Sequence, residues 1–105
     1  MSKRAKDANE ILNKLTEDDV ELRQMIMQET INAEVARLIY DAREAAGMTQ
    51  IELAKLVGTS QSTIARLEDA DYQGHSLNML IRIAAALGKE VHVSLGSVVR
   101  DREAA

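Results

Sequence analysis

Apolar positions recur at intervals of three and four residues through most of this chain, and at intervals of two only near its C-terminal end. Ala8, Ile11, Leu12 and Leu15 predict a short amphipathic segment over residues 5–15, because residues three and four apart share one helix face. Thr16 followed by Asp19 resembles a capping box with Asp in place of Glu, and Glu17 and Asp18 suit the positive end of a helix dipole. A helix is therefore expected to start near residue 17. Val20, Ile26 or Met27, Ile31, Val35, Leu38, Ile39 and Ala42 carry it to Ala46, where Gly47 supplies a stop. Asn32 is the position that could divide it in two. A helix of about 30 residues is long for so small a domain, so part of it is expected to pack on a second subunit or a partner.

Three shorter helices follow. In the stretch TQIELAKLVG, Thr49 is placed as the cap, Ile51, Leu53, Ala54, Leu56 and Val57 as the buried face, and Gly58 as the end. Thr59 and Ser60 make a turn. QSTIARLED then gives a helix with Ile64, Ala65 and Leu67 inward and Gln61, Ser62, Thr63 and Arg66 outward. After a polar loop from Ala70 to His75, Ser76 caps SLNMLIRIAAALG, with Leu77, Leu80, Ile81, Ile83, Ala84 and Leu87 inward and Gly88 as the stop. KEVHVSL alternates Val91, Val93 and Leu95 against Glu90, His92 and Ser94, the period of a half-buried strand. A lone strand leaves its backbone groups unpaired, so its partner is expected in another chain.

The 105 residues leave room for one compact domain and a short extension. The absence of Cys excludes disulfides and thiolate metal sites, and the absence of Trp and Phe removes the stacking platform of single-strand and RNA binders. No apolar run approaches the ~18 residues that span a bilayer, and Lys3, Arg4 and Lys6 are not followed by a signal-peptide core. A soluble, cytoplasmic protein without membrane contact is expected. The net charge of −4 opposes generic attraction to nucleic acid. It is unevenly spread: residues 17–47 carry −5, residues 1–16 carry +2, residues 48–75 carry −2 and residues 76–105 carry +1.

Two short helices joined by Gly58-Thr59-Ser60 have the geometry that lays the second in a DNA major groove while the first crosses the backbone. Ala54 is small where the helices cross, and Ile64 fills the space between them. A purely structural helical hairpin would share the pattern.

TQIELAKLVGTSQSTIARLE, continued by LNMLIRIAAALG, resembles the helix-turn-helix of the Cro and phage-repressor (Xre) family over roughly residues 35–88. The segments flanking it are similar to those of HigA-type antitoxins, with an N-terminal helical segment and a terminal strand like EVHVSL. The resemblance implies that Gln50 touches phosphate and that Gln61, Ser62, Thr63 and Arg66 read base edges. Gln suits adenine, Arg suits guanine, and Ser or Thr suits either. It also implies a partly buried salt bridge between Arg43 and Glu68. Thr59, Ser60, Lys55 and Gln73 are further candidates for phosphate contact. The loop from Asp69 to His75 departs from the family, which often carries basic residues where this chain has Asp69 and Asp71. Tyr72, His75, Ser76 and Asn78 remain as donors there.

No catalytic constellation, metal-ligand cluster or phosphate-cradling Gly-rich loop is found, so no enzymatic activity, cofactor or metal is expected. The fold expected is all-α: a lambda-repressor-like helix-turn-helix bundle with an N-terminal helical extension and one C-terminal β-strand used for dimerisation. The divisions are residues 1–33 for the extension, 34–88 for the DNA-binding domain, 89–96 for the strand and 97–105 for a flexible tail. The function expected is that of an operator-binding homodimer serving as an antitoxin and autorepressor, with the acidic segment 17–47 facing a small basic toxin. A stand-alone phage-like regulator and a protein-interaction adaptor that has lost DNA binding are the alternatives.

Overall fold

A computed structural model describes residues 19–96. Four helices are present among them: α1 (Val20–Ala45), α2 (Gln50–Val57), α3 (Gln61–Leu67) and α4 (Leu77–Ala86). The expected amphipathic segment over 5–15, the Thr16 cap and the 97–105 tail lie outside the described residues. α1 begins at Val20 rather than 17, and Asp19 makes no side-chain capping hydrogen bond at its start. Asn32 does not divide it, so the division proposed between residues 33 and 34 falls inside one continuous helix.

The core is small and lies where α2 meets α1, α3 and α4. Ile39 from α1, Leu53, Ala54 and Val57 from α2, Ile64 and Leu67 from α3, and Ile83 from α4 form one buried cluster. Val35, Met48, Tyr72, Met79, Leu80, Ala86 and Leu87 close around it, half-buried. Four residues placed on inward faces by periodicity are exposed instead: Ile51, Leu56, Leu77 and Ile81. Leu77 and Ile81 sit about 120° or more around α4 from buried Ile83, whereas Ile51 and Leu56 lie about 60° from the nearest buried residue of α2, at the edges of its inward face, at 100° per residue. Helices this short turn only a narrow face to so small a core.

Local chemistry fixes the ends. Thr49 Oγ1 accepts from the Glu52 backbone N–H at 3.1 Å while the Thr49 N–H donates to Glu52 Oε1 at 2.8 Å, a full capping box. Ser60 and Ser76 each accept a backbone N–H three residues on, from Thr63 and Met79. α2 stops at Gly58, whose φ of 82° lets its N–H and that of Thr59 both reach the Ala54 carbonyl at 2.9 Å. A side chain at that φ would meet the carbonyl beyond it, which is why glycine occupies the turn. Arg82 from α4 donates to the Val57 carbonyl at 2.5 Å, so a cation closes the negative end of α2.

The strand expected from Val91, Val93 and Leu95 is corrected: among the described residues there is no strand, and residues 89–96 carry no regular structure. Val91 is half-buried, whereas Val93 and Leu95 are exposed. Extended pairing requires a second backbone to satisfy its N–H and C=O groups, and none of the described residues supplies it.

Candidate nucleic-acid interface

α2 and α3 meet through the Gly58–Ser60 turn, and α3 presents the residues predicted to read DNA. Gln61, Ser62 and Arg66 are exposed; Thr63 is half-buried. The Ser60 hydroxyl sits 3.1 Å from that of Ser62 and 2.9 Å from that of Thr63, besides capping the helix. The Thr63 hydroxyl is thereby held back against the helix start, whereas Gln61 and Arg66 project freely enough to meet a ligand. Lys55, Ser60 and Gln73 are exposed and Thr59 is half-buried.

A chain of hydrogen bonds runs from α3 back into the core. Gln61 Nε2 donates to Gln50 Oε1 at 2.7 Å, and Gln50 Nε2 donates to Glu68 Oε1 at 3.1 Å. Glu68 is gripped by Arg43 in a two-pronged pair, with Nε–Oε2 at 2.6 Å and Nη2–Oε1 at 3.0 Å. Arg43 Nη1 also donates to the Met48 carbonyl at 2.7 Å, and the guanidinium lies 5.4 Å from the Tyr40 ring centroid. The two side chains are only 7% and 4% exposed. The hydrogen bond to Glu68 is the main reason Arg43 is held above its ordinary pKa; burial pulls the other way, and Glu68 and Glu44 add to the rise. The guanidinium therefore stays charged at any working pH.

The direction of every bond in this chain is forced. A carboxylate only accepts, so Glu68 fixes the Gln50 amide with its nitrogen inward and its oxygen outward. Gln61 must then donate to that oxygen, leaving its own Oε1 and one N–H for an external partner. The resemblance placed Gln50 on phosphate; in the structure its amide bonds both Glu68 and Gln61 and so orients Gln61.

The family whose model describes helix-turn-helix proteins matches residues 39–93. The chain belongs to the helix-turn-helix family. It is 47% identical over 53 residues to an uncharacterized HTH-type transcriptional regulator of Methanothermobacter thermautotrophicus, a match covering 50% of this chain and 75% of the relative. No solved structure matches.

Within this helix-turn-helix protein the acidic loop after α3 is held by its own hydrogen bonds. Asp69 Oδ1 accepts the Asp71 N–H at 2.8 Å and the Asp69 carbonyl accepts the Tyr72 N–H at 3.0 Å, so that carboxylate builds the turn. His75, expected as an exposed donor, is half-buried; its Nε2 lies 2.7 Å from the Leu67 carbonyl and its ring stands edge-on to Tyr72 at 5.1 Å. It pins the loop to the end of α3.

Two links between elements were not read from the sequence. The Gln50–Gln61 contact had a signal, since both residues open consecutive helices across a tight turn. The Arg82–Val57 bond had none: it joins residues 25 apart, and local periodicity carries no information at that range. Among the described residues, no helix is long and apolar enough to cross a membrane.

Proposed function

We propose that this chain is a non-catalytic transcriptional repressor that binds duplex operator DNA as a homodimer, with α3 in the major groove and α2 across the backbone. The observation that carries the reading is the Gln61–Gln50–Glu68–Arg43 chain. It presents one acceptor and one donor at the end of Gln61, the complement of adenine N6–H and N7. Arg66, one turn on, suits guanine O6 and N7, and Ser62 suits either base edge. The name of the archaeal relative, an HTH-type transcriptional regulator, supports the same reading. Lys55, Gln73, Thr59 and Ser60 flank α3 and suit phosphate. With a net charge of −4, a single copy is expected to bind weakly, so two half-sites supply the affinity.

Selection of bound duplexes from a random pool, followed by gel shift on the winner, tests this. Specific binding lost in Gln61→Ala and Arg66→Ala but kept in Lys3→Ala is expected. Absence of any shift at low salt overturns the DNA reading in favour of a protein-interaction adaptor.

The finer reading, an antitoxin repressing its own operon, is supported by the exposed carboxylates of α1, Glu21, Glu29, Glu34, Asp41 and Glu44, which complement a basic partner. Retention of a small basic protein encoded by the neighbouring gene on co-purification is its test; failure to retain one leaves a stand-alone regulator.

A further inference from the structure

Four large apolar side chains of α1 lie on one line of the helix and face away from the core: Val20, Met27, Ile31 and Leu38, which are 50%, 47%, 51% and 67% exposed. Their spacing of seven, four and seven residues follows a seam between paired helices, with Gln24 and Glu34 in the intervening positions at its two edges. The residues that fasten α1 to the rest of the protein, Ala36, Ile39 and Arg43, are on another face. An aligned apolar stripe left in water is costly, unlike scattered apolar residues, and marks a surface meant to be covered.

We infer that this stripe is the dimer seam, and that α1 pairs antiparallel with α1 of a second copy about a two-fold axis crossing the helix at Glu29. About that point Val20 faces Leu38 and Met27 faces Ile31. The charges beside the seam select the antiparallel arrangement. One flank carries Arg23, Glu34 and Asp41, the last paired with Arg37 of its own helix; the other carries Gln24, Val35 and Ala42. A two-fold axis brings like flanks together, and Arg23 then falls one residue from facing Glu34 of the partner, twice by symmetry. A parallel pair would instead set that charged flank against the neutral one and leave Arg23 and Glu34 unmatched. Exposed ion pairs contribute little strength, so the apolar seam supplies affinity and the charges supply direction.

The arrangement deepens the operator-binding reading, on which its functional meaning rests. The anchoring residues of each helix-turn-helix unit centre near residue 39, so two units lie roughly 30 Å apart along the pair, at 1.5 Å per residue. That is close to the ~34 Å separating successive major-groove faces of B-DNA. The face of α1 bearing Ala36, Ile39 and Arg43 leans toward the neutral flank, and the two-fold axis puts that flank of both copies on one side. Both recognition helices can then meet one duplex.

The chain has no Cys, so engineered thiols report pairing cleanly. In the full-length protein, Val20→Cys mixed with Leu38→Cys should oxidise to a covalent heterodimer, while neither variant alone links to itself; the two ends lie roughly 27 Å apart. Self-linking by Leu38→Cys alone overturns the antiparallel arrangement. By sedimentation equilibrium, Leu38→Glu should raise the dimer dissociation constant more than about a hundredfold, since two copies of the side chain leave the seam. Arg23→Glu and Glu34→Arg should each raise it several-fold, and the double exchange should restore it. A wild-type chain that stays monomeric at about 100 μM, or a dimer unmoved by Leu38→Glu with unchanged circular dichroism, overturns the seam. Gel shift on a single half-site separates the readings: a monomer that still shifts it condemns only the seam, and a dimer that shifts nothing condemns only the operator.

Discussion

The two halves of α1 are built from similar letters and meet opposite fates. From Val35 to Arg43 the helix buries Ala36, Ile39 and Arg43, with Ile39 in the core cluster and Arg43 on Glu68. From Val20 to Ile31 it is equally helical, yet Val20, Leu22, Met25, Met27 and Ile31 stand exposed. Amphipathic spacing therefore specifies a helix in both halves but a core in only one. What separates them is the presence of α2, whose fully buried Leu53 joins Ala54, Val57 and Ile39 in one cluster. The first half must be stabilised by its continuity with the second and by whatever covers it.

Substitutions should divide along the same line. Glu68→Ala is expected to be the most damaging, because it strands a buried guanidinium beside Met48 and frees Gln50; a loss of ~3–5 kcal/mol in urea unfolding is expected. Leu53→Ala, at the centre of the core, should cost ~2–5 kcal/mol through lost burial and the cavity left behind. Gln61→Ala should leave unfolding unchanged yet weaken operator binding by ~1–3 kcal/mol per half-site, with discrimination lost at one base position. Gly58→Ala should cost ~1–2 kcal/mol, as alanine is forced into the left-handed region between α2 and α3. Leu38→Gln should shift unfolding by less than ~0.5 kcal/mol at concentrations where the chain is dissociated. It should also abolish any rise of the wild-type melting temperature with concentration. A large loss from Leu38→Gln in the dissociated chain would erase the contrast between buried and exposed faces of α1.

The helices were legible because their signals are local. Thr49, Ser60 and Ser76 act within three residues of themselves, and Gly58 acts through its own φ. The outward placement of Gln61, Ser62 and Arg66 followed from the same periodicity. The exposure of Ile51, Leu56, Leu77 and Ile81 was not legible, because a hydrophobic letter does not say how wide a face its helix turns to the core. The strand at 90–95 failed for a related reason: alternation shows what a segment could pair with, not whether a partner backbone is present. The turn in the acidic loop was not legible either, since composition counts the Asp69 charge but not the Asp71 N–H that its carboxylate accepts.

The sequence by itself determined four helices, the Thr49 and Ser76 caps, the stops at Gly47, Gly58 and Gly88, and the helix-turn-helix spacing of residues 49–69, all properties of neighbouring residues and backbone angles. Only the tertiary structure decided that Glu68, held by Arg43 across the core, orients Gln50 and through it Gln61. Hydrogen-bond direction passes along a chain of groups in space, and the carboxylate at its buried end, unable to donate, sets what the exposed amide can offer.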